Sequence, residues 1–403
     1  MQEIMIVAGE ASGDMHGAGL VAAMRGENPN LHFVGVGDQA LAAQGVDILY
    51  PASQLAVVGL VEVFSHWREI RGALNGLTRR LHERRPALLI LIDFPDFNLI
   101  LAKRAKKLKI PILYYISPQV WAWRGGRVRV IARLIDRLVV ILPFEKKFYL
   151  DRDVAQVEFV GHPLVDTVYP ELPPPTFRQR HHIPTTAVVI GLLPGSRRRE
   201  VATMLPDFIE TARLLSRQQR GGQAGDQALF FLLPIAPTLT EEELGLSESV
   251  RRELNIIVVA GQRYDLMAAC DLVMTASGTV TLELALLHVP MVVTYRFSPL
   301  TYLLGKLLVR VKYASLVNLI ADREVVTELI QGDFSPQRLA EALRSIWPGT
   351  KRRIEQLTGL QEVCTQLGPP GAAAKAARLA LALLPSPDYD GDTVSPHLSA
   401  TAD

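Results

Sequence analysis

The sequence predicts an α/β protein built from two doubly wound, mainly parallel sheets. Three observations predict it: strand-length apolar runs alternate with helical stretches, a proline-rich interruption follows near the middle, and a second series of runs resumes beyond it. The first series occupies residues 4–8, 33–36, 88–92, 110–116, 138–142 and 157–160. Between residues 166 and 186 the rhythm stops, and Pro170, Pro173, Pro174, Pro175 and Pro184 take over. It restarts at residues 188–193, 229–233, 256–260, 272–274 and 291–294.

These breaks divide the chain into a first domain over residues 1–166, a linker over 167–186 and a second domain over 187–347. Alanine-rich helices follow over 348–384, and residues 385–403 form a tail without Lys or Arg. The tail's Asp388-Tyr389-Asp390 resembles a metal motif, but its composition predicts disorder.

The 403 residues are 49% apolar, enough for full cores. Cys270 and Cys364 lie far apart and suit neither a disulfide framework nor a metal site, which points to a reducing compartment. The first residues lack a signal-peptide pattern, and no run approaches the ~18 apolar residues of a spanning helix. A cytoplasmic location is expected.

Net charge is only +2, yet residues 68–147 hold 18 Lys and Arg against 6 Asp and Glu. Such a block favours phosphates, and an anionic membrane surface ranks above nucleic acid because no recognition motif or interleaved aromatics accompany it. Residues 55–63, followed by Phe64 and Trp67, and residues 300–311 read as core-facing helices or as interfacial contacts.

Candidate site residues fall where strands end, the usual place for ligands in parallel sheets. After the first run stands Gly9-Glu10-Ala11-Ser12-Gly13-Asp14, a polar loop expected to precede a helix from about Met15; its glycines do not form a dinucleotide fingerprint. After residues 88–92 comes Asp93-Phe94-Pro95-Asp96, which furnishes either a general base or the N-cap of the next helix. Ser117-Pro118-Gln119-Val120-Trp121-Ala122-Trp123-Arg124 suits a sugar face, an acyl chain, a phosphate or simple packing. His162 beside Pro163 reads as structural.

In the second half Pro194-Gly195-Ser196-Arg197 opens a helix, where free amides and an arginine fork suit a diphosphate. Arg198 and Arg199 read as surface. Ala276-Ser277-Gly278-Thr279 precedes another helix, which Ser277 or Thr279 can cap, and Glu283 one turn inside is placed to hold ribose hydroxyls or to support its own helix.

Taken together, these segments resemble the lipid-A-disaccharide synthase family, inverting glycosyltransferases with two Rossmann-like domains of the GT-B kind. The likeness extends in order from residue 7 to about residue 343, through the stretches just quoted and residues 142–148, 290–295 and 313–319. It implies transfer of 2,3-diacylglucosamine from UDP to the 6-hydroxyl of 2,3-diacylglucosamine 1-phosphate, with no metal or other cofactor. It also implies Asp96 as general base, with Glu10, Ser12, Gly13, Asp14, Asp93 and Trp123 around the acceptor or reacting sugar. Arg197, Ser277, Gly278, Thr279 and Glu283 fall on the UDP side, and Asn318 and Gln331 match positions near the nucleotide and cleft. A peripheral place on the inner face of the cytoplasmic membrane and a homodimer through the C-terminal helices are further expectations. Gln119, where serine is commoner, and Arg198-Arg199 depart from the family pattern. A UDP-N-acetylglucosamine 2-epimerase-like enzyme and a non-catalytic UDP-sugar sensor are the competing readings.

Overall fold

A computed structural model describes residues 2–55, 67–123, 125–220, 227–236, 239–296 and 312–385. The possible membrane-facing segments 56–66 and 300–311, Arg124 and the tail from residue 386 lie outside the described residues.

The first domain is a seven-stranded parallel sheet: β1 Gln2–Ala8, β2 Leu31–Gly37, β3 Asp47–Pro51, β4 Leu88–Ile92, β5 Ile112–Tyr115, β6 Arg137–Val140 and β7 Val157–Phe159, ordered β3-β2-β1-β4-β5-β6-β7. The second is a six-stranded parallel sheet of β8 Val188–Leu193, β9 Leu229–Ile235, β10 Ile256–Ala260, β11 Leu272–Ala276, β12 Met291–Tyr295 and β13 Thr327–Ile330, ordered β10-β9-β8-β11-β12-β13. Strands β4 and β8 are buried at every residue, which is why they read as unbroken apolar runs. The edge strands β3 and β13 escaped the sequence reading because each is only partly buried and carries polar residues, Asp47 in one and Thr327 and Glu328 in the other.

Both sheets reverse direction once, between β1 and β4 and between β8 and β11. Registers Ala8↔Ile92 and Thr275↔Leu193 bring the carboxyl ends of each central pair level. Crossovers diverge there and leave a crevice at the strand ends.

The loop after β1 is shorter than expected. Helix Ala11–Glu27 begins at Ala11, with Asp14 N donating to Glu10 O at 2.9 Å, so Ser12, Gly13 and Asp14 belong to its first turn. Gly17 lets the helix lie close on β4, since a Cβ there would stand 3.0 Å from Ile92 Cδ1.

The proline-rich segment is packed rather than loose. Its helix Pro174–Arg180 buries Phe177, and Arg178 donates to Ala269 O at 2.9 and 2.7 Å while pairing with Asp271 at 3.1 Å. Leu172 N donates to Asp265 Oδ1 at 2.9 Å, so this segment is fastened to the second domain.

The C-terminal helices divide between the domains. Helix Lys351–Gln366 stays with the second, where buried Gln356 exchanges two hydrogen bonds with the Met291 backbone at 2.8 and 3.1 Å. The chain then returns: His162 N donates to Leu367 O at 2.9 Å, and Asp166 accepts from Gly371 N and Ala372 N at 2.8 and 3.2 Å. Gly371 has φ +95°, a conformation that favours glycine at this sharp turn. Helix Ala372–Leu381 lays Ala372, Ala376, Ala377 and Ala380 in the core and packs on helix Ala11–Glu27. The alanine face is thus used within the chain.

Replacing Ala376 by Leu should overfill that contact and cost about 1–3 kcal/mol, measured as a lower denaturation midpoint with unchanged slope. A variant as stable as the parent would show the contact to be loosely packed.

Candidate active site

At the β1/β4 crevice the backbone is distorted. Asp93 and Phe94 have φ of +43° and +46°, two consecutive non-glycine residues in the left-handed region. Such strain persists only where the surroundings impose it. Asn98 Nδ2 donates to Ile92 O at 3.2 Å and to Asp93 O at 2.8 Å, and Tyr114 OH donates to Asp93 O at 2.6 Å. Gly9 completes the support, because any Cβ there would overlap the Phe94 ring.

This turn brings Asp93 beside Glu10. Burial, then the negative charge of Glu10, pushes the Asp93 carboxyl up to about 6, against a lowering hydrogen bond from the Phe94 backbone. Glu10 and Ser12 are exposed at the start of helix Ala11–Glu27. Asp96 is exposed in the first turn of helix Pro95–Lys107 and pairs with Arg127. Phe94 occupies the N-cap position, so the alternative of Asp96 as N-cap is corrected.

Asp14 is turned inward. It is buried and accepts from Asp38 N at 2.7 Å, Ala40 N at 2.8 Å and Leu41 N at 3.3 Å, which makes it the anchor of helix Gln39–Ala43. Gly13 is buried against Ile92, a packing role.

The segment after β5 is clamped from below. Ser117 Oγ meets Tyr149 OH at 2.6 Å, and Trp121 Nε1 donates to Glu145 Oε1 at 3.1 Å while its ring packs edge-on against Phe144. Burial pushes Glu145 up to about 7, opposed by hydrogen bonds from Leu142, Trp121, Ile141 and Ser117. Trp121 therefore serves packing, and Trp123 ends helix Val120–Trp123 with its side chain outside the described residues. His162 Nδ1 accepts from Leu164 N at 3.2 Å, and burial lowers His162 to about 3, in keeping with a structural role.

In the second domain the turn after β8 has Gly195 at φ +122°. Ser196 N and Arg197 N donate to Glu200 Oε2 at 3.2 and 3.3 Å, so a carboxylate occupies amides of the kind that bind anions. Arg197 is exposed above them, 4.0 Å from Glu200 Oε1. Arg198 pairs with Glu243 on the surface.

After β11, Ser277 Oγ donates to Ala314 O at 2.8 Å and Gly278 opens on free space. Thr279 holds the N-cap position of helix Val280–Leu286 without a side-chain bond, so neither residue caps through its hydroxyl. Glu283 is buried on that helix; one oxygen takes Arg263, and Oε2 has no hydrogen-bond partner among the described residues. Leaving a buried carboxylate oxygen unpaired is costly, and a ligand hydroxyl would satisfy it.

Asn318, expected near the nucleotide, is an internal brace. It is fully buried, its amide donating to Val326 O and Glu328 Oε1 at 2.8 Å each and its carbonyl accepting from Val325 N and Val326 N at 2.7 and 3.0 Å. Gln331 stands half-buried at the carboxyl end of β13 with φ +55°. Among the described residues no three His, Cys, Asp or Glu side chains converge on a metal site.

Two cations were missed. Arg127 follows the Trp-rich segment, and the signal was Gly125-Gly126-Arg127 just behind it; Arg263 follows β10 after Gly261. Helix Leu164–Thr167 at the end of the first domain packs on helix Val280–Leu286, which carries Glu283.

Because Asp93 is raised above its ordinary value, the folded state holds a proton that the unfolded chain releases between about pH 4 and 6, and stability falls as pH rises through that window. Asp93→Asn should remove this penalty, so its stability relative to the parent rises by about 2 kcal/mol between pH 4 and pH 7 in denaturant titrations. A pH-independent difference would mean that Asp93 is not held in this environment.

Comparison with known proteins places the arrangement. Residues 4–382 match the sequence model of a family described as lipid-A-disaccharide synthetase. A lipid-A-disaccharide synthase of Myxococcus xanthus (strain DK1622) is 45% identical over 383 residues, spanning 95% of this chain and 97% of that protein. Another from Geobacter metallireducens is 42% identical over 383 residues, with coverage of 95% and 97%.

Among solved structures, the glycotransferase of kitacinnamycin superposes with a TM-score of 0.63 at 16% identity, over 95% of this chain and 99% of its own. The UDP-GlcNAc 2-epimerase from Neisseria meningitidis, bound to UDP-GlcNAc, gives 0.60 at 12% identity, over 94% and 98%. At such identities the likeness concerns fold alone, two Rossmann-like domains in the GT-B arrangement. The sequence matches carry the assignment: the chain belongs to the lipid-A-disaccharide synthase family of glycosyltransferases.

Proposed function

We propose that the enzyme transfers 2,3-diacylglucosamine from UDP to the 6-hydroxyl of 2,3-diacylglucosamine 1-phosphate, with inversion and without a metal ion. The observation that carries this reading is the pairing of two strand-end crevices of opposite chemistry. One presents Glu10, Asp93 and Asp96, and the other presents the Gly195–Arg197 turn and the unsatisfied oxygen of Glu283.

In this reading Asp96 takes the acceptor hydroxyl proton while the hydroxyl oxygen attacks the anomeric carbon. The departing diphosphate is stabilised by the amides after β8 and by Arg197, with Glu200 yielding its place. Glu283 Oε2 accepts a ribose hydroxyl, and Ser277, Gly278, Thr279 and Gln331 border the nucleotide. Glu10, Ser12, Asp93 and Trp123 border the reacting sugars. The arrangement asks for no Lewis acid, because helix-end amides and arginine supply the positive field.

The acceptor and donor carry acyl chains, so the enzyme works on the cytoplasmic-membrane surface. Support comes from two adjacent helices, Trp67–Arg84 and Pro95–Lys107, on which Arg68, Arg71, Arg79, Arg84, Lys103 and Lys107 are exposed. Arg80, by contrast, is spent on Glu3. No helix among the described residues is long and apolar enough to cross a membrane.

Incubation with the UDP-linked donor and the phosphorylated acceptor in EDTA should yield a disaccharide phosphate and UDP by mass detection, and Asp96→Asn should lower turnover by about 100-fold or more with UDP affinity kept. Turnover of UDP-N-acetylglucosamine without acceptor, or no disaccharide, would overturn the assignment. The protein should also sediment with anionic vesicles at low salt and leave them as ionic strength rises. Failure to sediment at low salt would assign the exposed cations to ordinary surface.

A further inference from the structure

Arg127 has no part in the roles above, yet it stands in the acidic crevice. Its guanidinium, 20% exposed, donates to Asp96, whose side chain is 74% exposed. The cation is the sheltered member of the pair and the carboxylate the solvated one.

The backbone that delivers Arg127 is firmly held. Residues 117–123 are pinned through Ser117 to Tyr149 and through Trp121 to Glu145. Helix Val128–Leu134, which begins directly after Arg127, buries Val128 and Ile131 and packs on helix Pro95–Lys107, the helix that bears Asp96.

Asp96 Oδ1 accepts from this guanidinium. An exposed ion pair is worth at most about 1 kcal/mol, whereas a phosphate takes an arginine fork in two parallel, charge-assisted bonds. A phosphomonoester entering the crevice thus outcompetes Asp96 for Arg127.

We propose that Arg127 binds the phosphate of the acceptor and so places the acceptor hydroxyl against Asp96, its neighbour in the same crevice. The proposal rests on the reading of Asp96 as base and of the acceptor as a sugar phosphate. The acceptor O–H proton passes to Asp96, its oxygen bonds to the anomeric carbon, and the bond from that carbon to the diphosphate breaks with its electron pair leaving on UDP. Arg127 is assigned to the acceptor rather than to the donor diphosphate because it belongs to the first-domain crevice, while the second domain has Arg197 and its own amide turn.

Steady-state kinetics test this with the UDP-linked donor and two acceptors, 2,3-diacylglucosamine 1-phosphate and the same lipid without phosphate. The parent enzyme should prefer the phosphorylated acceptor by about 100-fold in kcat/KM, and Arg127→Ala should cut that preference to under about 10-fold, chiefly through acceptor KM. Arg127→Lys should fall between, keeping charge but losing the fork. UDP affinity should stay within about twofold in both variants.

A variant that discriminates as the parent does overturns the proposal, and so does lost UDP affinity with unchanged discrimination. If Arg127→Ala fails to fold, Arg127→Lys and Arg127→Gln provide the same ratio. If the parent makes no disaccharide, the functional reading falls by itself. Direct binding of the two lipids to parent and Arg127→Lys then decides whether Arg127 recognises the phosphate.

Discussion

The reversal of strand order, between β1 and β4 and again between β8 and β11, is the constraint on which the rest depends. Crossover helices leave the central pair in opposite directions, and no connection can fill the space above the strand ends. The polar loops are therefore free to face a ligand. Where the sequence places carboxylates, as after β1 and β4, the crevice is acidic; where it places Gly195, Ser196 and Arg197, the crevice offers amides and a cation. One fold used twice thus yields two sites of opposite character.

Several of these crevice groups are matched by the protein's own side chains. Glu200 sits on the amides after β8, and Arg127 sits on Asp96. Arg263 engages only one oxygen of buried Glu283. Such contacts offset the desolvation of the crevice groups, and the exposed ones are weak enough to exchange. The strained Asp93–Phe94 turn has a different logic. Its cost is borne by Asn98 and Tyr114, which grip one carbonyl, and it turns Asp93 toward Glu10 so that burial and like charge act together on the carboxyl.

Much of this was legible because buried parallel strands leave long apolar runs, and because Gly, Pro and acidic residues at their ends mark the loops. The family likeness was legible for the same reason, since its motifs are those loops. The partly buried strands β3 and β13 were not legible, and neither was the early start of helix Ala11–Glu27, where small residues look like loop but add a helical turn. Side-chain direction was the larger loss. Asp14 and Asn318 lie next to site residues in sequence, yet both turn inward to satisfy backbone groups at residues 38–41 and 325–326. Nothing in spacing separates an inward carboxylate from an outward one. Arg127 and Arg263 were passed over because the glycines before them, Gly125-Gly126 and Gly261, mark any surface turn as readily as a site.

The polypeptide passes between the two domains twice, once through the packed proline-rich segment and once on its return at Leu367–Ala372, where Asp166 and the His162 backbone hold it. Two crossings define a line. Rotation about that line leaves both spans unstretched, whereas sliding or pulling the halves apart would lengthen at least one. A cut in either crossing would leave the halves joined by the other.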